Sequence, residues 1–367
     1  MLIQKLLHLP LETMGMSKAI RLKRYLGLLL SNSSTMKIYN LFRIETELRK
    51  RATHLQGLPY VLKIESTNIC DLRCPICYEN RKPHHFEGGR GYGKMNPDLF
   101  YRIIDEIGKY VYRINLYGFG EPFIYDKTLD MVRYAANENI SVGITSNLNT
   151  VDEEMIEKII LSGLEHLIVS IDGIDQESYE KYQVGGDFNK VISNLRTFQN
   201  IKKRMKKKLP ILDWQFLIMK HNARMRMQAK VMAQELGMGI RYSCIGIDLQ
   251  DKSQREEWLP ENEALSQYNY RTLLPKGIEN LRSCSWLYRT VFINWDGGVS
   301  PCCNYYTGDK TSDFGNLTEK SFREIWNNRF YVQARKLVSK QQPLSEEDKK
   351  NNVCGRCESF AWKEANS

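Results

Sequence analysis

Val61-Leu-Lys-Ile-Glu-Ser-Thr-Asn-Ile-Cys70-Asp-Leu-Arg-Cys74-Pro-Ile-Cys77 is the stretch on which the reading of this chain turns. Val61 to Ser66 is a β-rich run, and the cysteines follow it in a loop with C-x3-C-x2-C spacing. Three thiolates so close together can hold three irons of a [4Fe–4S] cluster. Such clusters are usually held by four cysteines, so a three-cysteine loop leaves one iron open to a ligand from outside the protein. Zinc is the competing reading: a structural zinc site wants four ligands, and His84 and His85 lie close enough downstream to complete one. The position of the triplet weighs toward the cluster, because loops after the C-terminal ends of strands are where (β/α) barrels carry catalytic groups.

Outward from that loop, strand-like and helix-like segments alternate. Apolar runs fall at residues 61–66, 113–117, 141–145, 166–171, 212–219 and 240–245. Helical periods fall between them, at 99–110, 129–137, 153–161, 188–205 and 223–235. Six consecutive βα units predict a parallel sheet flanked by helices, and six are too few for a closed eight-stranded barrel. Residues 1–56 read as a helical segment outside this core, residues 57–246 as the α/β core, and residues 247–283 as a polar linker with a helix. From residue 284 the composition changes.

On the cysteine triplet the sequence resembles the radical S-adenosylmethionine (radical SAM) superfamily. The resemblance implies a partial (β/α)6 TIM-like barrel whose loop cluster, Cys70, Cys74 and Cys77, chelates the amino and carboxylate groups of SAM at the open iron. It further implies reductive cleavage of SAM to a 5′-deoxyadenosyl radical that abstracts a substrate hydrogen, with electrons from a flavodoxin- or ferredoxin-type donor. Tyr117-Gly-Phe-Gly-Glu121 resembles the family's Gly-Gly-Glu segment, which assigns Gly118, Gly120 and Glu121 to the SAM amino group; a carboxylate suits an ammonium. Thr145 and Asn147 end the third strand, and Ser170 and Asp172 end the fourth, at positions where relatives place ribose or carboxylate contacts. Tyr78 is the candidate for packing on adenine. The family often has an aromatic just before the third cysteine, where this chain has Ile76.

A second cysteine set lies downstream. Cys284 precedes Tyr288-Arg-Thr-Val-Phe-Ile-Asn-Trp-Asp-Gly-Gly-Val-Ser-Pro-Cys302-Cys303, in which Asp296-Gly297 between apolar runs predicts a hairpin. Asp313-Phe-Gly-Asn-Leu317, the helix-like Ser321-Phe-Arg-Glu-Ile-Trp326 and a final Cys354-Gly-Arg-Cys357 follow. Four thiolates, Cys284, Cys302, Cys354 and Cys357, would complete an auxiliary [4Fe–4S] site or a C-terminal zinc site. The order of these features resembles the small α+β SPASM/twitch extension of radical SAM enzymes, here over residues 284–367. With four to five cysteines it is most like the one-cluster form found in carbohydrate and aminocyclitol dehydrogenases. In that pattern the cysteine after proline is the ligand, which selects Cys302 over Cys303.

Cys244 remains outside both sets. Near the end of the sixth strand it is expected either to be a buried structural thiol or to face the barrel and return a hydrogen atom to a substrate radical, as in radical SAM epimerases. The leading expectation for the whole chain is an oxidoreductase acting on a carbohydrate, aminocyclitol or polyol-like substrate, with the auxiliary cluster as electron acceptor. Epimerisation and modification of peptides or of activated or lipid-linked substrates are the alternatives.

Bulk properties agree with a folded enzyme. The 367 residues are 42% hydrophobic and 26% charged, and no run approaches the ~18 apolar residues of a membrane span. Apolar patches in Met1–Leu30 are broken by Glu12, Lys18, Arg21, Lys23 and Arg24, which is unlike a signal peptide. Nine cysteines without an export signal suit metal binding in a reducing cytoplasm. The net charge of +10 is partly local. Residues 18–30 read as a basic amphipathic helix, suited either to solvent or to peripheral membrane contact, and residues 202–208 are a cationic run. No nucleic-acid-binding module is visible.

Overall fold

The computed structural model describes residues 27, 31–77, 89–276, 284–302, 310–339 and 345–357. Helix α1 (Thr35–Lys50) starts at Ser34, whose Oγ accepts the Lys37 N–H at 3.3 Å. Six strands then run parallel and in sequence order: β1 (Val61–Ile64), β2 (Arg113–Leu116), β3 (Ser141–Ser146), β4 (His166–Ser170), β5 (Ile211–Ile218) and β6 (Gly239–Cys244). Between them lie α2 (Pro97–Ile107), α3 (Thr128–Asn137), α4 (Glu153–Leu161), α5 (Gln176–Glu180), α6 (Phe188–Arg204) and α7 (Arg226–Glu235). The caps were written in the sequence: Asn96 with Pro97 behind it opens α2, Asp152 opens α4 and Asp187 opens α6.

Strand periodicity divides the sheet into two faces. Parallel register aligns Leu62 and Ile64 with Ile114 and Leu116 on one face. Further along, it aligns Trp214 and Phe216 with Ile240 and Tyr242 on that same face. This is the helix-covered side, where the Tyr242 hydroxyl donates to the Arg226 carbonyl of α7 at 2.6 Å. The opposite face carries Lys63, Arg113, Asn115, Thr145, Ser170, Gln215 and Arg241, so the inside of the partial barrel is polar.

Past β6 the chain forms α8 (Lys252–Trp258) and a short hairpin of β7 (Tyr268–Asn269) and β8 (Leu274–Pro275). The remaining elements are α9 (Trp286–Arg289), β9 (Thr290–Ile293), β10 (Gly298–Ser300), β11 (Gly315–Asn316), α10 (Phe322–Trp326), α11 (Arg329–Ser339) and α12 (Glu346–Asn351). The expected hairpin is present, with β9 and β10 antiparallel around Asn294–Gly297. Its first strand also lies parallel to β1, Lys63 beside Phe292, so the barrel sheet continues into the C-terminal region in the order β11-β10-β9-β1-β2-β3-β4-β5-β6. This continuity is the feature the composition change at residue 284 did not foretell.

Buried polar contacts hold the C-terminal elements to one another and to α1. Arg335 is fully buried and lies over the Trp326 ring at 4.6 Å and the Tyr331 ring at 5.1 Å. It donates to the carbonyls of Leu287 and Trp326 and to Asn327 Oδ1. Arg289 forms a two-pronged pair with Glu45 of α1, at 2.7 and 2.6 Å. Among the described residues no helix is long and apolar enough to cross a membrane.

Candidate active site

The cysteine loop leaves the C-terminal end of β1. Thr67 donates through Oγ1 to the Gly93 carbonyl at 2.8 Å, and Asn68 Oδ1 accepts the Gly93 N–H at 2.8 Å, which fixes the stem. The Cys77 N–H donates to the Cys74 carbonyl at 3.0 Å and closes the loop into a turn. Cys70 Sγ lies 3.8 Å from Asp71 Oδ1 and 4.0 Å from Asn147 Nδ2. Cys74 packs against a second apolar cluster that includes Ile76, Tyr182, Met219, Ile245 and Trp258. Burial pushes the Cys74 thiol up, and the nearby Cys77 and Asp172 push the same way. Metal ligation requires thiolates. A buried thiol whose negative form lacks charge support is therefore the kind of group that an iron–sulfur cluster, by binding, converts to a ligand. The donor set of three clustered thiols fits the cluster that the spacing implies.

Gly118 and Gly120 sit against this loop. A Cβ on Gly120 would lie 2.4 Å from the Thr67 carbonyl and 2.7 Å from that of Ile69; one on Gly118 would meet the Glu65 side chain at 2.3 Å. Both glycines permit close approach of the β2 loop to the stem of the cysteine loop. Glu121 is buried beside them. Its N–H donates to the Ile69 carbonyl at 2.8 Å. Its Oε1 accepts the Phe123 N–H at 3.1 Å, and its Oε2 accepts the Asn147 N–H at 2.7 Å. Burial lifts this carboxyl to about 7. Asn147 in turn donates through Nδ2 to Asp71 Oδ1 at 2.8 Å, inside the cysteine loop. Glu121 and Asn147 thus tie the ends of β2 and β3 to the metal loop, a role not visible in the short motifs that contain them.

Thr145 and Ser170 face the barrel interior, on neighbouring strands, as expected for strand-end contacts. Asp172 is buried just above Ser170; its Oδ1 accepts the Leu217 N–H at 2.7 Å, and burial lifts it to about 7. Tyr78 lies outside the described residues, as do His84, His85 and Cys303. Sequence reading missed the inner wall itself. Arg113 donates from Nε to Asn115 Oδ1 at 2.9 Å, and its Nη2 lies 3.2 Å from His166 Nδ1. His166 Nε2 is 2.8 Å from Asp213 Oδ2, which Arg241 approaches at 3.5 Å. Lys63 lies over the rings of Tyr117 and Phe292 at 5.0 and 5.5 Å. The signal was available: these residues occupy the positions alternating with the apolar ones in strands otherwise read as buried.

The second cysteine set comes together through the fold. The Cys354 thiol is pushed well up, first by burial and then by the charges of Cys302, Cys284 and Cys357, which therefore lie in its neighbourhood. Burial likewise lifts Cys284 to about 11. The Cys354 N–H donates to Asn352 Oδ1 at 3.0 Å, and the Cys357 N–H to the Cys354 carbonyl at 3.3 Å. Among the described residues, no three His, Cys, Asp or Glu side chains converge closely enough to share one metal ion. The four thiols fit a multi-iron cluster by donor type and number.

Cys244 is a correction. Its register partner is Ile218, while Ser243 pairs with Leu217. Side chains alternate along a strand, so Cys244 shares the helix-covered face with Tyr242, whose hydroxyl reaches α7. Ile245, the next residue, joins the apolar cluster beside Cys74. The expectation that Cys244 faces the barrel is thus off by one residue in phase.

A partial barrel with a thiol-rich loop at the end of its first strand, followed by a C-terminal region with four further thiols, has the donor sets of an iron–sulfur protein. Comparison with known proteins identifies it further. Residues 64–211 match the Radical SAM superfamily, and residues 284–358 match the SPASM iron-sulfur cluster-binding domain. The chain belongs to the radical SAM superfamily and carries a C-terminal SPASM domain. These assignments bring a [4Fe–4S] cluster with SAM in the barrel and auxiliary iron–sulfur binding in the C-terminal domain. A Pyrococcus furiosus protein described as the tungsten-containing aldehyde ferredoxin oxidoreductase cofactor-modifying protein is 24% identical over 302 residues, spanning 74% of this chain and 82% of that one. Fe-coproporphyrin III synthase from Methanosarcina barkeri is 22% identical over 299 residues, 71% of this chain and 72% of that one. In structure the chain resembles Streptococcus suis SuiB bound to the precursor peptide SuiA. The TM-score is 0.59 at 16% identity, over 93% of this chain and 82% of that one. That likeness concerns the fold.

Proposed function

We propose that this radical SAM enzyme oxidises a polar small molecule of the carbohydrate, aminocyclitol or polyol type held inside the partial barrel. The observation that carries the reading is the polar inner wall. Thr145, Ser170 and Gln215, toward the strand ends beside the cysteine loop, offer hydroxyl and amide groups to a hydroxylated substrate. Arg113, Asn115 and Arg241 already have partners within the wall and hold its polar surface in place.

In this reading Cys70, Cys74 and Cys77 hold the cluster that binds SAM, and Cys284, Cys302, Cys354 and Cys357 hold the auxiliary cluster. When bound, these groups supply radical hydrogen abstraction and an electron acceptor. The protein's own residues do the positioning. Glu121 and Asn147 keep the β2 and β3 ends registered against the metal loop, and the apolar cluster of Ile76, Tyr182, Ile245 and Trp258 shields Cys74 from water. Thr145, Ser170 and Asp172 stand where the ribose or carboxylate of SAM would reach the strand ends. A flavodoxin- or ferredoxin-type protein is the proposed reductant. The outward phase of Cys244 supports oxidation over an epimerisation that uses this thiol.

The names of the relatives point to a tungsten cofactor and a porphyrin, and the SuiB structure holds a peptide. The test is therefore a choice among substrates. The reconstituted protein, SAM and reductant are incubated with deuterated polyols and aminocyclitols, and 5′-deoxyadenosine is examined for deuterium. Deuterium transfer with a product three mass units lighter than the deuterated substrate, one deuterium and one proton lost, supports the reading. Transfer confined to a peptide or a porphyrin overturns it.

A further inference from the structure

Helix α1 presents an outward face that the radical chemistry does not use. Met36, Ile38, Tyr39 and Phe42 are 44%, 43%, 56% and 52% exposed, four large apolar side chains within two turns of one helix. The opposite side of the helix is locked down. Lys37 Nζ donates to the Asn139 carbonyl at 2.7 Å, Asn40 makes two hydrogen bonds to Leu58, and Glu45 holds Arg289 and the Tyr60 hydroxyl. The exposure is therefore a fixed feature of the docked helix.

At 3.6 residues per turn, the four apolar residues fall with Arg43, Arg49 and Lys50 in an arc of about 160°. Arg43 lies over the Tyr39 ring at 4.6 Å. The two carboxylates of α1 are turned inward: Glu45 is buried against Arg289, and Glu47 accepts the N–H groups of Gln56 and Gly57. The outward arc is thus apolar and cationic with no anion. In sequence, Lys18, Arg21, Lys23 and Arg24 precede it and add charge of the same sign. Apolar side chains interspersed with cations on one helical face match the interface of an anionic bilayer, where rings and aliphatic chains enter the headgroup boundary and guanidinium groups meet phosphates. Cations without carboxylates also disfavour a second copy pairing through this same face.

We propose that α1 docks the protein onto the surface of membranes rich in anionic lipid, through Met36, Ile38, Tyr39 and Phe42 with Arg43 and Arg49. The contact is independent of the reaction proposed above. The test uses the full chain, reconstituted with iron, and co-sedimentation with phosphatidylcholine vesicles and with mixed phosphatidylcholine–phosphatidylglycerol vesicles. Two variants, Tyr39→Ser/Phe42→Ser and Arg43→Glu/Arg49→Glu, are compared with wild type after matching iron content and thermal unfolding show that the fold is kept. The expected result is binding to the anionic vesicles only, weakened by added salt and reduced about tenfold or more in both variants. Absence of wild-type binding to either vesicle overturns the proposal. So does binding that both variants retain. A dimer in light scattering that Tyr39→Ser/Phe42→Ser abolishes, without vesicle binding, assigns the face to self-association and also overturns it.

Discussion

The two cysteine sets of this protein are built in opposite ways. Cys70, Cys74 and Cys77 occupy eight consecutive residues on one loop, and their spacing survives whatever the rest of the chain does. Cys284, Cys302, Cys354 and Cys357 are brought together only when β9 joins the edge of β1 and the helices after β11 fold back. The first set is a local motif in sequence, pinned at its stem by Gly93 and within the loop by Asn147. The second is a tertiary product, fastened by Arg335 and the aromatic rings around it. Local sets withstand distant damage, and assembled sets do not.

That contrast yields graded outcomes. The largest effect is expected from Cys70→Ala/Cys74→Ala/Cys77→Ala, which abolishes SAM cleavage by dithionite-reduced protein while leaving the C-terminal site able to take up iron; assays of 5′-deoxyadenosine and iron check both parts. Next, Arg335→Ala leaves the carbonyls of Leu287 and Trp326 without their buried donor. A loss of about 2–5 kcal/mol in denaturant unfolding is expected from the two buried carbonyls left without a donor, together with selective loss of C-terminal iron. Equal loss of iron from both sites would break the comparison between local and assembled sets.

A smaller effect concerns Glu65, at the end of β1 under Gly118. Burial raises its carboxyl to about 7, against the opposing influence of the Phe119 N–H and Arg90. The folded state therefore binds this proton more tightly than the unfolded chain. The stability it contributes is complete below its ordinary value of 4.5 and is lost as pH rises through about 7. Unfolding measured at pH 5 and pH 8 should show a decline that Glu65→Gln reduces by about 2–3 kcal/mol. The smallest change is expected for Cys244→Ala: product formation persists, and stability falls by no more than about 1 kcal/mol. Loss of product with continued SAM cleavage would restore the epimerase reading.

Legibility followed the same division between local and assembled. The six parallel strands were readable because buried strands are short apolar runs between segments of helical period; the caps at Asn96, Asp152 and Asp187 went unread although their residue types are those that open helices. The cysteine triplet was readable because its geometry is covalently close. The union of β9 with β1 was not, because pairing between strands more than 220 residues apart leaves no local trace. Strand phase was the finer loss. Arg113, Asn115 and Arg241 alternate with apolar residues and so announce an inner polar wall, and the register at the end of β6 decides between the two readings of Cys244 in favour of the structural thiol. Glu121 was read only for its contact with SAM; the hydrogen bond that its carboxylate accepts from Asn147 depends on the β2 and β3 ends meeting, which no short motif records.

The central claim is that two separate clusters are carried on one continuous sheet. It is tested most directly by iron and sulfide analysis of anaerobically reconstituted protein, wild type beside Cys70→Ala/Cys74→Ala/Cys77→Ala. Two four-iron sites predict about eight irons falling to about four. About four irons in the wild type, falling to none in the variant, would contradict the account by leaving the C-terminal cysteines without a cluster.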